Sequence, residues 1–114
     1  MRLYRAVCLA ELDEIRRDNA IRPGPPSFQG KWFLTSVEET AEMGRRLFRI
    51  GNPPFHIVEA EVSDSDLGLF FRDPFRDGIG IGYYAYVEQL DRVRFVREVS
   101  DVPLRRLRTE LGAR

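Results

Sequence analysis

Residues 31–48, KWFLTSVEETAEMGRRLF, decide the fold class. Lys31–Thr35 is dense in β-forming side chains and reads as a strand. Ser36 then stands where a helix N-cap belongs, with Glu39 three residues on. That pairing is the signature of a capping box. Val37, Ala41, Gly44 and Leu47/Phe48 recur at helical spacing and give the helix a buried stripe. A strand that runs directly into a capped helix is therefore the central unit.

Working outward toward the N-terminus, Arg22-Pro-Gly-Pro-Pro26 cannot lie inside a helix and reads as a stiff extended loop. Before it, Leu9, Leu12 and Ile15 mark a helix over about 9–18, with Glu11, Asp13, Glu14, Arg16 and Arg17 mostly outside. Leu3–Val7 alternates as a first strand, with Leu3, Arg5 and Val7 on one face.

Toward the C-terminus, Gly51-Asn-Pro-Pro54 closes the second helix. Phe55–Val62 alternates as a strand, with Ile57, Glu59 and Glu61 on one side and His56, Val58, Ala60 and Val62 on the other. Leu67–Phe71 reads as a short strand or turn, and 77–82 as a flexible Gly-rich loop. Strands follow over about 83–87 and 93–99. Two helices in the N-terminal half and several short strands after them make a single compact α+β domain over residues 1–99. Residues 100–114 read as a basic C-terminal helix or tail.

Composition narrows the function classes. Eighteen basic and eighteen acidic residues cancel, which argues against a general polyanion partner. The cancellation is uneven. Residues 64–91 hold two basic and six acidic side chains, and residues 92–114 hold seven and three. The excess of arginine at the C-terminal end is matched by nearby Glu98, Asp101 and Glu110, so it reads as a solvated surface before it reads as a nucleic-acid site. Cys8 and His56 are each the only one of their kind. No disulfide framework or Cys-rich metal site follows from that, and a reducing, cytoplasmic setting is the natural expectation. No metal is expected. No apolar run approaches the roughly 20 residues of a membrane span, and no signal peptide is visible at the N-terminus.

Several residues invite a chemical role. Gly78-Ile-Gly-Ile-Gly82 lacks the spacing and the following helix of a dinucleotide fingerprint, and reads as a hinge or a close backbone approach. Glu59 and Glu61 share a strand face and read as solvated, with metal binding or acid–base work as the alternative. Arg5 sits on a face that should be buried. It calls either for an internal carboxylate, with Glu59 or Glu88 the candidates, or for an anionic ligand. Thr35 and Ser36 sit at a strand-to-helix junction, where hydroxyls can cap the helix or meet a ribose or phosphate. Alternation puts Tyr84, Tyr86 and Glu88 on one face, two rings and an acid.

In order along the chain, LYR (3–5), GKWFLTS (30–36), FHIVEAEV (55–62) and GIGIGYYAYVEQL (78–90) resemble the small bacterial ADP-ribosyltransferase-like domains, among them toxin-type versions. The resemblance spans residues 1–96. It implies a split β-sandwich of short strands that clamps NAD as substrate and transfers ADP-ribose to a macromolecular acceptor. An inactive nucleotide- or protein-binding domain on the same fold is the alternative. By resemblance, Arg5 would hold an NAD phosphate or ribose, and Thr35 and Ser36 would support the nicotinamide ribose. Trp32 or Phe33 would pack on the nicotinamide, and Tyr84 would offer a ring to the ligand. Glu88 would bind the ribose 2′-hydroxyl and stabilise the developing oxocarbenium ion. The chain departs from the family at Tyr86, where a second acid would precede Glu88. It also has Thr-Ser in place of a full Ser-Thr-Ser. The first departure speaks against transfer to protein arginine.

Overall fold

A computed structural model describes residues 1–24, 29–49 and 54–99. Six strands, β1 (Arg2–Val7), β2 (Gly30–Leu34), β3 (His56–Glu61), β4 (Phe71–Arg76), β5 (Gly80–Tyr86) and β6 (Arg94–Glu98), form one sheet in the order β4-β5-β2-β1-β3-β6. Every pairing is antiparallel. Among the described residues there is no second sheet, so the expected two-layer sandwich is replaced by a single sheet with an unequal join at its centre. β1 matches β3 over six consecutive pairs, and β2 matches β5 over five. β1 and β2 share only the pair Tyr4–Leu34. The sheet is thus two three-stranded halves that touch at a seam.

Helices cover both faces. α1 (Leu9–Asp18) lies on the face that carries Leu3 and Val7, and its Leu12 and Ile15 join Phe33, Val58, Ala60 and Ala85 in the main core. It ends at Asn19, whose φ of 51° is the left-handed cap that asparagine tolerates. A bidentate pair from Arg16 to Glu98 ties α1 to β6. α2 (Val37–Leu47) lies on the opposite face, over β1, β2 and β3. Ser36 caps it as expected, its Oγ accepting from the Glu39 amide at 3.1 Å. Gly44 is required there, because a Cβ would meet the Phe55 ring at 2.2 Å. The buried stripe of α2 is Thr40, Ala41, Met43 and Gly44, with Leu47 exposed rather than inside.

The C-terminal half departs most from expectation. Residues 64–71 hold a one-turn helix, α3 (Asp64–Leu67), capped by Ser63. FRDPFR, residues 71–76, is an edge strand, which is where a strand proline is tolerated. The Gly-rich stretch is not a loop throughout. Asp77 and Gly78, both at positive φ, make a tight hairpin turn closed by the Ile79 amide on the Arg76 carbonyl. Gly80 and Gly82 already belong to β5. The strand stops at Tyr86, and Val87–Arg92 forms a 3₁₀ helix, so Glu88 does not extend the face of Tyr84 and Tyr86. The helix or tail expected over 100–114, and the close of α2 at Gly51–Pro54 in part, lie outside the described residues.

Candidate functional site

Where β1 and β2 part, a side chain bridges to the strand backbone in place of the ladder. Arg5 reaches across it: Nη1 donates to the Trp32 carbonyl at 3.2 Å. Its Nε and Nη2 donate to the two carboxylate oxygens of Glu11 on α1, at 2.7 and 3.0 Å. Lys31 on β2 donates to the same Glu11 at 2.9 Å. Lys31 and Glu11 are both buried, 1% and 4% exposed. Burial alone would raise the Glu11 pKa, but the hydrogen bonds and charges of Arg5 and Lys31 outweigh it and hold the carboxyl below its ordinary value. Burial, together with the Arg5 charge, lowers the pKa of Lys31. Arg5 therefore takes the internal-carboxylate role, but with Glu11, which the helix pattern places outside, rather than with Glu59 or Glu88.

Beside this cluster lies a cavity of about 340 Å³. β1 supplies Tyr4, Arg5 and Ala6, and β2 supplies Trp32 and Leu34. Cys8, Glu11, Thr40, Met43, Leu47, Phe48, Arg76 and Asp77 complete the wall. Tyr4 and Ala6 point to the α2 face and Arg5 to the α1 face, so the cavity passes into the seam itself. The hairpin turn closes one side, held to α2 by Arg46 donating to the Asp77 carbonyl at 2.8 Å. The Arg76 guanidinium lies 3.9 Å from the centroid of Trp32, a cation–π contact. Its Nε is buried without a hydrogen bond, 3.5 Å from the Asp77 carboxylate.

Trp32 also begins a run of aromatic rings along the outer half of the same face. Tyr84 is 5.1 Å from it and Phe71 6.0 Å, centroid to centroid, and Tyr86 is 4.9 Å from Tyr84. Gly82 makes room for this arrangement: a Cβ there would come within 2.9 Å of Arg76 and 3.2 Å of Trp32.

Of the residues singled out from sequence, Arg5 and Trp32 meet on the cavity wall. Tyr84 adjoins Trp32 outside it. Phe33 is buried in the core on the α1 face. Ser36 is used as the cap, and Thr35 donates to Glu39 at 3.4 Å. Glu88 is exposed on the 3₁₀ helix and does not line the cavity. Glu59 is not a solvated carboxylate: it is buried, and Arg2 and Arg97 each reach it at 3.1 Å. Glu61 takes Arg94 at 2.5 Å. Burial, with the charge of Glu59 adding to it, raises the pKa of the neighbouring Tyr4 hydroxyl. Glu11, Arg76 and Asp77 also line the cavity, and no sequence pattern singles them out. The one available signal was the need of a buried Arg5 for a close carboxylate.

Among the described residues, no three His, Cys, Asp or Glu side chains gather as a metal site, and no helix is long and apolar enough to cross a membrane. Compared with known proteins, the chain matches no family model, no curated protein and no solved structure.

Proposed function

We propose that this chain is an ADP-ribosyltransferase-like domain that binds NAD at the seam and transfers its ADP-ribose to a macromolecular acceptor. One observation carries the reading: the sheet parts between β1 and β2, and Arg5 and Trp32 line the cavity at that parting. By the sequence resemblance, Arg5 would hold an NAD ribose or phosphate and Trp32 would pack on the nicotinamide. Arg5 spends three N–H groups on Glu11 and the Trp32 carbonyl, which leaves two for an anionic ligand.

In the transfer, the C1′–N bond to nicotinamide breaks and nicotinamide leaves with the electron pair. The acceptor nucleophile then bonds to C1′ and loses its proton. The protein's part is orientation and a carboxylate near the growing positive charge. Glu88 holds that role by resemblance. Asp77 is a second candidate by its place on the cavity wall.

A second reading, binding without transfer, is favoured by one specific feature: Glu88 stands outside the cavity lining. Incubation with NAD separates the two. Nicotinamide release, lost in either Glu88→Gln or Asp77→Asn, supports transfer and names the carboxylate. Thermal stabilisation by NAD without release supports binding alone; at about 100 times the dissociation constant it amounts to ~2.7 kcal/mol. An NAD titration that leaves the melting midpoint unmoved overturns both.

A further inference from the structure

The cavity and its neighbourhood follow a definite order. A pocket of about 340 Å³ comes first. Arg76 lines it against Trp32, with a buried Nε that makes no hydrogen bond. Beyond Trp32 runs the row of rings, in which Phe71 is 54% and Tyr86 45% exposed. Pockets for drug-sized ligands run from roughly 300 to 1,000 Å³, so this one is small and suits one half of a dinucleotide better than the whole.

We infer that the ligand is divided at Arg76. One ring and its ribose enter the cavity, Arg76 contacts the pyrophosphate, and the second ring stacks on Phe71, Tyr84 and Tyr86. The inference rests on the NAD reading above and adds to it a second subsite. The sequence pocket, cation, aromatic row repeats the ligand's own sequence of ring, diphosphate, ring. Planar rings stack on aromatic side chains whatever their substituents, and guanidinium is the side chain best shaped for phosphate oxygens. Asp77 is the competing charge. Its carboxylate is 3.5 Å from Arg76 Nε and 49% exposed, so water screens this contact. On the other half of the same face, Arg2, Arg94 and Arg97 are paired with Glu59 and Glu61.

The test uses the full chain and its double variant Phe71→Ala/Tyr86→Ala. Both side chains are exposed, and the ligand-free melting midpoint checks that the variant is folded. Titrations are run with NAD, nicotinamide mononucleotide and AMP. The expected result is an NAD affinity reduced at least about fivefold, as loss of ring stacking implies. The mononucleotide that occupies the cavity should keep its affinity to within about twofold. Arg76→Gln should weaken NAD by a similar factor. NAD affinity unchanged in the double variant overturns the second subsite and leaves the NAD reading standing. Equal losses for NAD and both mononucleotides overturn the division at Arg76. NAD that does not bind the unaltered chain overturns the NAD reading, and the subsite with it.

Discussion

Glu11 and Glu59 are both buried carboxylates held between two cations, and they are built for different ends. Glu11 sits between Arg5 and Lys31, whose side chains are 12% and 1% exposed. Glu59 sits between Arg2 and Arg97, at 45% and 55%. At Glu59 the cations reach water, so losing the carboxylate returns them to solvent. At Glu11 they stay out of solvent, because both are largely buried with the carboxylate, and Arg5 also bonds across the join of β1 and β2. The same three-charge arrangement is a surface fastening in one half of the sheet and a structural plug in the seam. Only the plug adjoins the cavity.

This contrast can be broken most forcefully at Glu11. Glu11→Ala leaves Arg5 and Lys31 buried without their carboxylate, a defect that typically costs about 3–5 kcal/mol. At roughly 4–8 °C per kcal/mol for a domain of this size, the melting midpoint should fall by more than about 12 °C. A midpoint within a few degrees of the unaltered protein would show that the seam does not depend on the plug. The same residue sets an acid limit. Its pKa is depressed in the folded state. Its contribution is therefore fully present above the unfolded carboxyl value of about 4.3 and is lost as pH falls through the lower folded value. Denaturant melts across the acid range should show a decline in the unaltered protein that is shallower in Glu11→Ala.

Gly30→Ala should come next. It tests the join of the outer half, since a Cβ at Gly30 would stand 2.5 Å from the Ala85 carbonyl oxygen and 2.8 Å from the Tyr84 ring. Overpacking of this kind costs about 1–3 kcal/mol. Because the ring at fault is Tyr84, the variant should also lose affinity for NAD. Unchanged stability together with unchanged affinity would argue that this half is looser than the contacts indicate.

Glu59→Gln sharpens the contrast from the other side. With both arginines free to hydrate, the cost should be about 1 kcal/mol or less, well below that of Glu11→Ala. A loss equal to that at Glu11 would erase the distinction between fastening and plug. Glu61→Gln should do least of all, with a midpoint that barely moves, since Glu61 and Arg94 are both exposed.

Elements whose cause is local were legible in the sequence. The helix over 9–18 and the Ser36 cap follow from side-chain spacing and a short hydrogen bond. The strands over 2–7, 30–34 and 56–61 match their patterns to within a residue or two. What was not legible depends on distant partners. Gly80 and Gly82 look like loop residues, yet they are strand residues, because the Glu39 carboxylate packs on Gly80 and Arg76 and Trp32 pack on Gly82. Glu11 looks solvent-facing on a helical wheel. Its burial is decided by Arg5 and Lys31, neither of which belongs to the helix. Leu9 shows the converse, an apolar side chain that the same wheel places inside and that is half exposed. The site was legible in the same proportion: Arg5 and Trp32 stood out by residue type, while Arg76 and Asp77 reach the cavity only through the β4–β5 hairpin.

Trp32 is the only tryptophan in the chain and lies on the cavity wall, so its fluorescence reports the central claim directly. Titration with NAD, corrected for absorbance by the ligand, should change the emission along a saturable curve, and Arg76→Gln should shift that curve to higher concentration. Emission that stays constant throughout the titration would contradict the account.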